Sequence, residues 1–214
     1  MVDVLRAHGA AGATVLSGVD GTLRGARARA RLFGLNADVP AMVLSVGGSR
    51  AAAAALAAVE REVPGVLATW ERVRICKRDG VSLAAPHAPA EAGRMWCKLT
   101  LLASGRAEHR GHPLAEQAVL RLREAGAAGI TVLRGTWGYH GDHAPHGDRT
   151  LALRRHVPVH AVVVDEPERA ARWFSVLDAL TDEAGLVTSE LVPAWRARGP
   201  GVARGELELA APQV

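Results

Sequence analysis

Lysine is nearly missing from this chain. Lys77 and Lys98 are its only two, so almost all of the charge on 26 basic residues sits on arginine. Cysteine is as scarce: Cys76 and Cys97 are too few for a disulfide framework and too far apart for a Cys-x-x-Cys metal half-site, which leaves two packed thiols. No window approaches the roughly 18 uninterrupted apolar residues of a membrane span, and the longest apolar run, 51–59, is alanine-rich. The start, MVDVLRAHG, carries an acid where a signal peptide has a basic residue and lacks an apolar segment, so a cytoplasmic location is expected. Also missing are a Gly-x-x-x-x-Gly-Lys phosphate loop, a serine nucleophile elbow, and paired carboxylates near a histidine, and the chain is expected not to be an enzyme.

What is present suffices for a core. With 214 residues, 49% apolar and 22% charged, the chain suits one large domain or two small ones. The formal charge is +4 and the pI about 9.8. Guanidinium groups suit bidentate phosphate or carboxylate contacts, although a general bias toward Arg and Ala explains the same composition.

Self-similarity organises the rest. VDVLRAHGAAGATVLSGVDG (2–21) matches VLRLREAGAAGITVLRGTWG (119–138) at a constant offset, 119 − 2 = 117, including the whole Gly-Ala-Ala-Gly block, Thr-Val-Leu and two further glycines. Asp38-Val39-Pro40 then stands opposite His156-Val157-Pro158, each before an apolar run, and VLATWERV (66–73) stands opposite LVTSELV (186–192). The chain is two copies of one domain.

The second copy is the more complete. LTLLA reads as a strand. HPLAEQAVLRLREAGAAG places Leu114, Ala118, Leu122 and Ala125 at helical spacing, with Pro113 suited to a first turn and Gly126 to a stop. ITVLRG is β-branched, and 157–164 reads as a strand buried on both faces. A second helix follows with Ala170, Trp173, Val176, Leu177 and Leu180 on one face, and LVTSELV closes the unit. The order β-α-β-β-α-β predicts an α+β fold of two ferredoxin-like units, each an antiparallel sheet with two helices. Boundaries are expected at 1–77 for the first repeat, 78–94 for a Pro-containing linker with a solvated His87, 95–194 for the second repeat, and 195–214 for a tail that starts as coil.

Copy one has a gap. Residue 2 aligns with the middle of the second copy's first helix, so the counterpart of its first strand is not in the chain as read. That strand is central in a ferredoxin-like sheet, and its place needs a filler. The alternating segment 206–210, folded back or donated by another chain, is the candidate, and a start farther upstream is the other explanation.

GAAGITVLRGTWGYHG, LRRHVPVHAVVVDEPE and GLVTSELV, with GAAGATVLSGVDG, NADVP and ERVRICKRDG in copy one, resemble the PII-like family of unknown function numbered 190, in tandem form. The resemblance covers about 2–78 and 96–194. It implies a ferredoxin-like core of the PII superfamily, a homo-oligomer with a trimer favoured, and a long loop between the second and third strands. In the better-known PII proteins that loop docks onto a target such as a membrane transporter, and AMP, ADP or ATP binds in clefts between subunits near its base, so the resemblance implies a signalling or regulatory protein that binds an adenine nucleotide or similar small anion in clefts between domains or subunits. On that mapping GTWGYHGDHAPHGDR (135–149) is the loop. Arg134, Gly135, Gly138, Tyr139, His140 and Arg149 are the candidate nucleotide contacts, with Arg154 and Arg155 as further phosphate partners. The PII motif Gly-Phe-Gly is replaced here by Gly138-Tyr139-His140.

The same loop carries another possibility. His140, His143 and His146, beside Asp142, supply nitrogen and oxygen donors for a divalent transition metal, whereas Gly141, Pro145 and Gly147 work against preorganising three imidazoles. The matching loop of copy one, TLRGARARARLFGLNAD, has no histidine. Its Arg27, Arg29 and Arg31 would share one face of a strand, and a nucleic-acid contact through them would be steeply salt-dependent. Few aromatics lie nearby, which disfavours single-strand stacking.

Overall fold

The computed structural model describes residues 1–23, 26–30, 39–63, 65–141, 146–147, 157–198 and 201–205. The fold is α+β. The described helices are α1 (Val2–Ala7), α2 (Ser49–Glu62), α3 (Pro89–Ala92), α4 (Leu114–Glu124) and α5 (Pro167–Leu180). None is long and apolar enough to cross a membrane.

The repeated Gly-Ala-Ala-Gly block has the same task in both copies. After α1, Gly9 takes φ +80 and donates its N–H to Arg6 O, while Ala10 N–H reaches Leu5 O. After α4, Gly126 takes φ +88 with the equivalent bonds to Arg123 O and, from Ala127, to Leu122 O. Both are the paired 5→2 and 6→1 bonds that stop a helix on a left-handed residue, where glycine carries no Cβ penalty. Upstream, Leu114, Ala118 and Leu122 are buried as the spacing predicts. On α5, Ala170, Trp173, Leu177 and Leu180 are buried too, with Val176 half-buried. Each large side chain so covered contributes roughly 1.5–3 kcal/mol of apolar transfer.

Copy two supplies a sheet in the order Thr131–Arg134, Pro158–Asp165, Trp96–Ser104, Leu186–Val192. That is the second, third, first and fourth strand of a ferredoxin-like unit. α4 packs on α5. Pro158–Asp165 is buried along nearly its whole length, as its unbroken apolar run predicts. Copy one supplies Gly12–Ser17 and Ala41–Val46, antiparallel from Gly12↔Val46 to Ser17↔Ala41, with α1 packed on α2.

The described chain forms two compact units, and they exchange segments relative to the repeats. One unit is Met1–Thr69 with Leu102–Arg106 and Leu133–Val159; the other is Trp70–Leu101 with Ala107–Val132 and His160–Val214. In the first, Trp137–His140 of copy two pairs antiparallel with Gly12–Ser17. In the second, Arg74–Arg78 of copy one pairs antiparallel with Leu186–Val192, and Val81–Ser82 adds a further short strand. The segment 78–94 is therefore part of the second unit. It opens with a hairpin turn, Asp79 at φ 47 and Gly80 at φ 81, the two left-handed residues of a tight two-residue loop. It ends in α3, whose Glu91 forms a bidentate ion pair with Arg74 at 2.9 and 3.0 Å.

Residues 66–73, aligned with LVTSELV, form no strand. Val66, Leu67 and Trp70 stand exposed, Leu67 at 91%. In ferredoxin-like order the fourth strand pairs only with the first, and among the described residues no strand occupies that place in copy one, so 66–73 has no ladder to join. The tail also departs from the expected coil: Ala194–Arg198 and Gly201–Gly205 form an antiparallel hairpin. Segment 206–210 lies outside the described residues.

Candidate functional site

Gly135 to Gly141, the base of the long loop, is built from backbone interlock within the first unit. Gly135 N–H donates to Pro158 O at 2.8 Å, Thr136 N–H to Val15 O at 2.8 Å, and Gly141 N–H to Ala11 O at 2.9 Å. Thr136 and Ser17 join their hydroxyls at 3.0 Å. Between these fastenings Trp137–His140 runs antiparallel to Gly12–Ser17 on one side and to His146–Gly147 on the other, with Gly138 opposite His146.

The glycines here make room for the neighbouring strand. A Cβ on Gly135 would meet Thr14 Cγ2 at 2.5 Å. One on Gly138, whose φ is +150, would meet Ala13 O at 2.1 Å and Pro158 Cγ at 2.9 Å. Close packing alone thus accounts for both residues, where the sequence suggested room for a ligand. Tyr139 is 2% exposed and shares a small core with Val2 and Ala13, and its hydroxyl donates to Ala10 O at 3.1 Å. Burial pushes its phenol up to about 12. His140 is buried at the end of the same strand.

Of the proposed nucleotide contacts, Gly138, Tyr139 and His140 therefore lie in one strand, Gly135 lies two residues before it, and Arg134 ends the exposed strand that precedes both. Arg149, Arg154 and Arg155 lie outside the described residues. Among the proposed metal ligands His143 also lies outside, His146 is described by its backbone only, and His140 faces a packed interior rather than open loop. Among the described residues no group of three His, Cys, Asp or Glu side chains is placed to hold a metal ion. In copy one, the hairpin Asp20–Leu23 with Ala26–Arg29 puts Arg27 and Arg29 at alternate positions, as expected of a shared face. Arg27 is engaged there by Asp20, with Nε donating to Oδ1 at 3.0 Å and a second N–H to Oδ2; Arg31 is outside the described residues.

One cluster was invisible in the sequence. His87, expected to be solvated, is fastened in the second unit: its backbone N–H donates to Ser189 Oγ at 3.0 Å, and its Nδ1 lies 2.9 Å from the same oxygen. Cys97 Sγ is 3.3 Å from that oxygen on the buried side. Burial and then Arg74 push the His87 pKa down. Burial pushes the Cys76 thiol up to about 11 and raises that of Cys97 as well. Ser189 has no exposed surface. This serine–histidine contact is a buried fastening that ties the 78–94 segment to Leu186–Val192. Its two halves lie 102 residues apart, and no local pattern joins them.

The sequence model of the family described as DUF190, an uncharacterized ACR, matches this chain over residues 1–75 and again over 96–194. The two matched stretches are the two copies defined by the internal repeat. With both copies matched and most of the chain covered, this protein belongs to the DUF190 family.

Proposed function

We propose that this chain is a non-catalytic, PII-like regulatory protein that binds an adenine nucleotide or a similar small anion at the base of its long loop and contacts a target through that loop. The supporting observation is the pinned base: Trp137–His140 is held by a strand on each side, with Tyr139 buried beneath it. A loop mounted on so rigid a strand can convert occupancy at its root into a change at its tip. Arg134 at the root and Arg149, Arg154 and Arg155 farther along the sequence supply guanidinium groups suited to phosphate. The non-catalytic part of the reading is supported by the closed environment of Ser189 and by elevated thiol pKa values, which remove the nucleophiles that the described residues bring near a base.

Calorimetric titration with AMP, ADP, ATP and cyclic nucleotides tests it. One of them should bind at micromolar level, and Arg134→Ala should weaken that binding by about 1–3 kcal/mol through loss of a charge-assisted contact. Absence of binding below roughly millimolar for every nucleotide ends the sensor reading.

A further inference from the structure

We infer that the outer edge of residues 129–132, where the strand Thr131–Arg134 begins, pairs antiparallel with Asp20–Leu23 of a second copy of this chain. The chain already forms this joint once. Residues 12–15 of copy one run antiparallel to Trp137–His140 of copy two, with Gly12 opposite His140 and Val15 opposite Trp137. At the offset of 117 both sides of that joint have counterparts with their roles exchanged: 12–15 corresponds to 129–132, and 137–140 to 20–23. Among the described residues neither counterpart has such a neighbour. Thr131–Arg134 ends its sheet with Pro158–Asp165 on the inner side, and Asp20–Leu23 pairs only with Ala26–Arg29. Each lacks the strand that the other would supply.

Both sides carry marks of the missing half. Gly12, Ala13 and Thr14 are buried in the existing joint, whereas Thr131–Arg134 is exposed at all four positions, Val132 among them. Its strand also starts two residues later than its counterpart Gly12–Ser17, at Thr131 instead of Gly129. On the other side, the root of copy one's loop is set on its proline as in copy two. Gly18 N–H donates to Pro40 O at 2.9 Å, and Gly135 N–H to Pro158 O at 2.8 Å. A Cβ on Gly21 would meet Pro40 Cγ at 3.0 Å, and one on Gly138 meets Pro158 Cγ at 2.9 Å. Gly138 must in addition leave room for Ala13 O, 2.1 Å from its added carbon, while the atoms nearest to that carbon on Gly21 all belong to Pro40. In the second joint Ile130 O of the other copy takes the place of Ala13 O, which gives the glycine at 21 the same task as the glycine at 138.

The register follows from the existing joint: Asp20 opposite Val132, Gly21 opposite Thr131, Thr22 opposite Ile130 and Leu23 opposite Gly129. Donor and acceptor are different segments, so the contact is head-to-tail and must close into a ring, with two chains as the fewest.

Light scattering on the full chain and on Gly21→Ala reads the joint. The wild type should have at least twice the chain mass of 22.5 kDa. Gly21→Ala should fall to a single chain, because a small shift of Pro40 accommodates the added carbon and a paired carbonyl does not. In parallel, Thr22→Cys and Ile130→Cys proteins are oxidised alone and mixed, with Cys76 and Cys97 buried. A disulfide-linked dimer joining position 22 to position 130 in the mixture supports the pairing, and this arm decides if Gly21→Ala misfolds or the two arms disagree. A monomeric wild type, absence of that cross-link, or a disulfide within one chain in the double variant would each overturn the inference, the last by assigning the edge to the chain's own hairpin.

Discussion

Gly138 illustrates how a single residue can carry two readings with different consequences. In the sequence it marks a glycine-rich loop root. In the structure the volume of its absent side chain is occupied by Ala13 O and Pro158. Gly138→Ala should therefore destabilise the first unit by at least about 2 kcal/mol, because the carbonyl it strikes belongs to a paired strand that cannot retreat. Gly129→Ala, with nothing within 4 Å of its added carbon, should be close to neutral. Denaturant titration of both variants provides the comparison, and equal midpoints would refute the packing account. At this scale the helix faces, the buried 157–164 run and the Gly-Ala-Ala-Gly stops were legible, since each depends on neighbours within a few residues. Tyr139 and His87 were not legible, because their environments are set by partners more than 100 residues away.

The element that the sequence misjudged most is the segment 78–94. Prolines and the absence of periodicity made it resemble a tether, yet it is fastened at three points: Leu83 and Ala84 N–H to Cys76 O, His87 to Ser189, and Glu91 to Arg74. Ser189→Ala removes the middle fastening and leaves the His87 N–H without its acceptor, at a cost of about 1–3 kcal/mol. Amide exchange should accelerate across residues 83–92 while α4 stays protected; uniform acceleration would show that the bond holds the whole unit. The outer fastening is pH-sensitive. Arg74 and the Ala88 N–H hold the Glu91 carboxyl down to about 2, from an ordinary value near 4.5. Its folded value lies below its unfolded one, so its contribution is complete above about pH 4.5 and disappears as pH falls toward 2. Exchange at α3 should rise across that window in the wild type and not in Glu91→Gln. A pH-independent difference between the two proteins would contradict this.

For the whole molecule, the repeat was readable but the partition was not. Two matching stretches suggested two self-contained domains, and each stretch does form its own helices and strands. Hydrophobic periodicity states which face of a strand is buried and says nothing about which strand lies beside it. Arg74–Arg78 pairs with Leu186–Val192, and Gly12–Ser17 pairs with Trp137–His140, each across the boundary between the copies. Cutting the chain at the apparent linker would therefore remove two strands from each sheet, Trp137–His140 with His146–Gly147 from one and Arg74–Arg78 with Val81–Ser82 from the other. Separately expressed 1–94 and 95–214 should each be less stable than the intact protein and should recover their cooperative unfolding only when mixed. Independent, fully cooperative melting of either piece would restore the simple two-domain picture.

This exchange also sets a timetable for synthesis. Gly12–Ser17 leaves the ribosome before its neighbour Trp137–His140, which is completed only after 140 − 17 = 123 further residues. At roughly 5–20 residues per second that is on the order of 6–25 s during which that strand edge waits in the cell without this neighbour. A protein assembled in this order depends on whatever shields nascent chains, and its yield should track translation speed more closely than its final stability does.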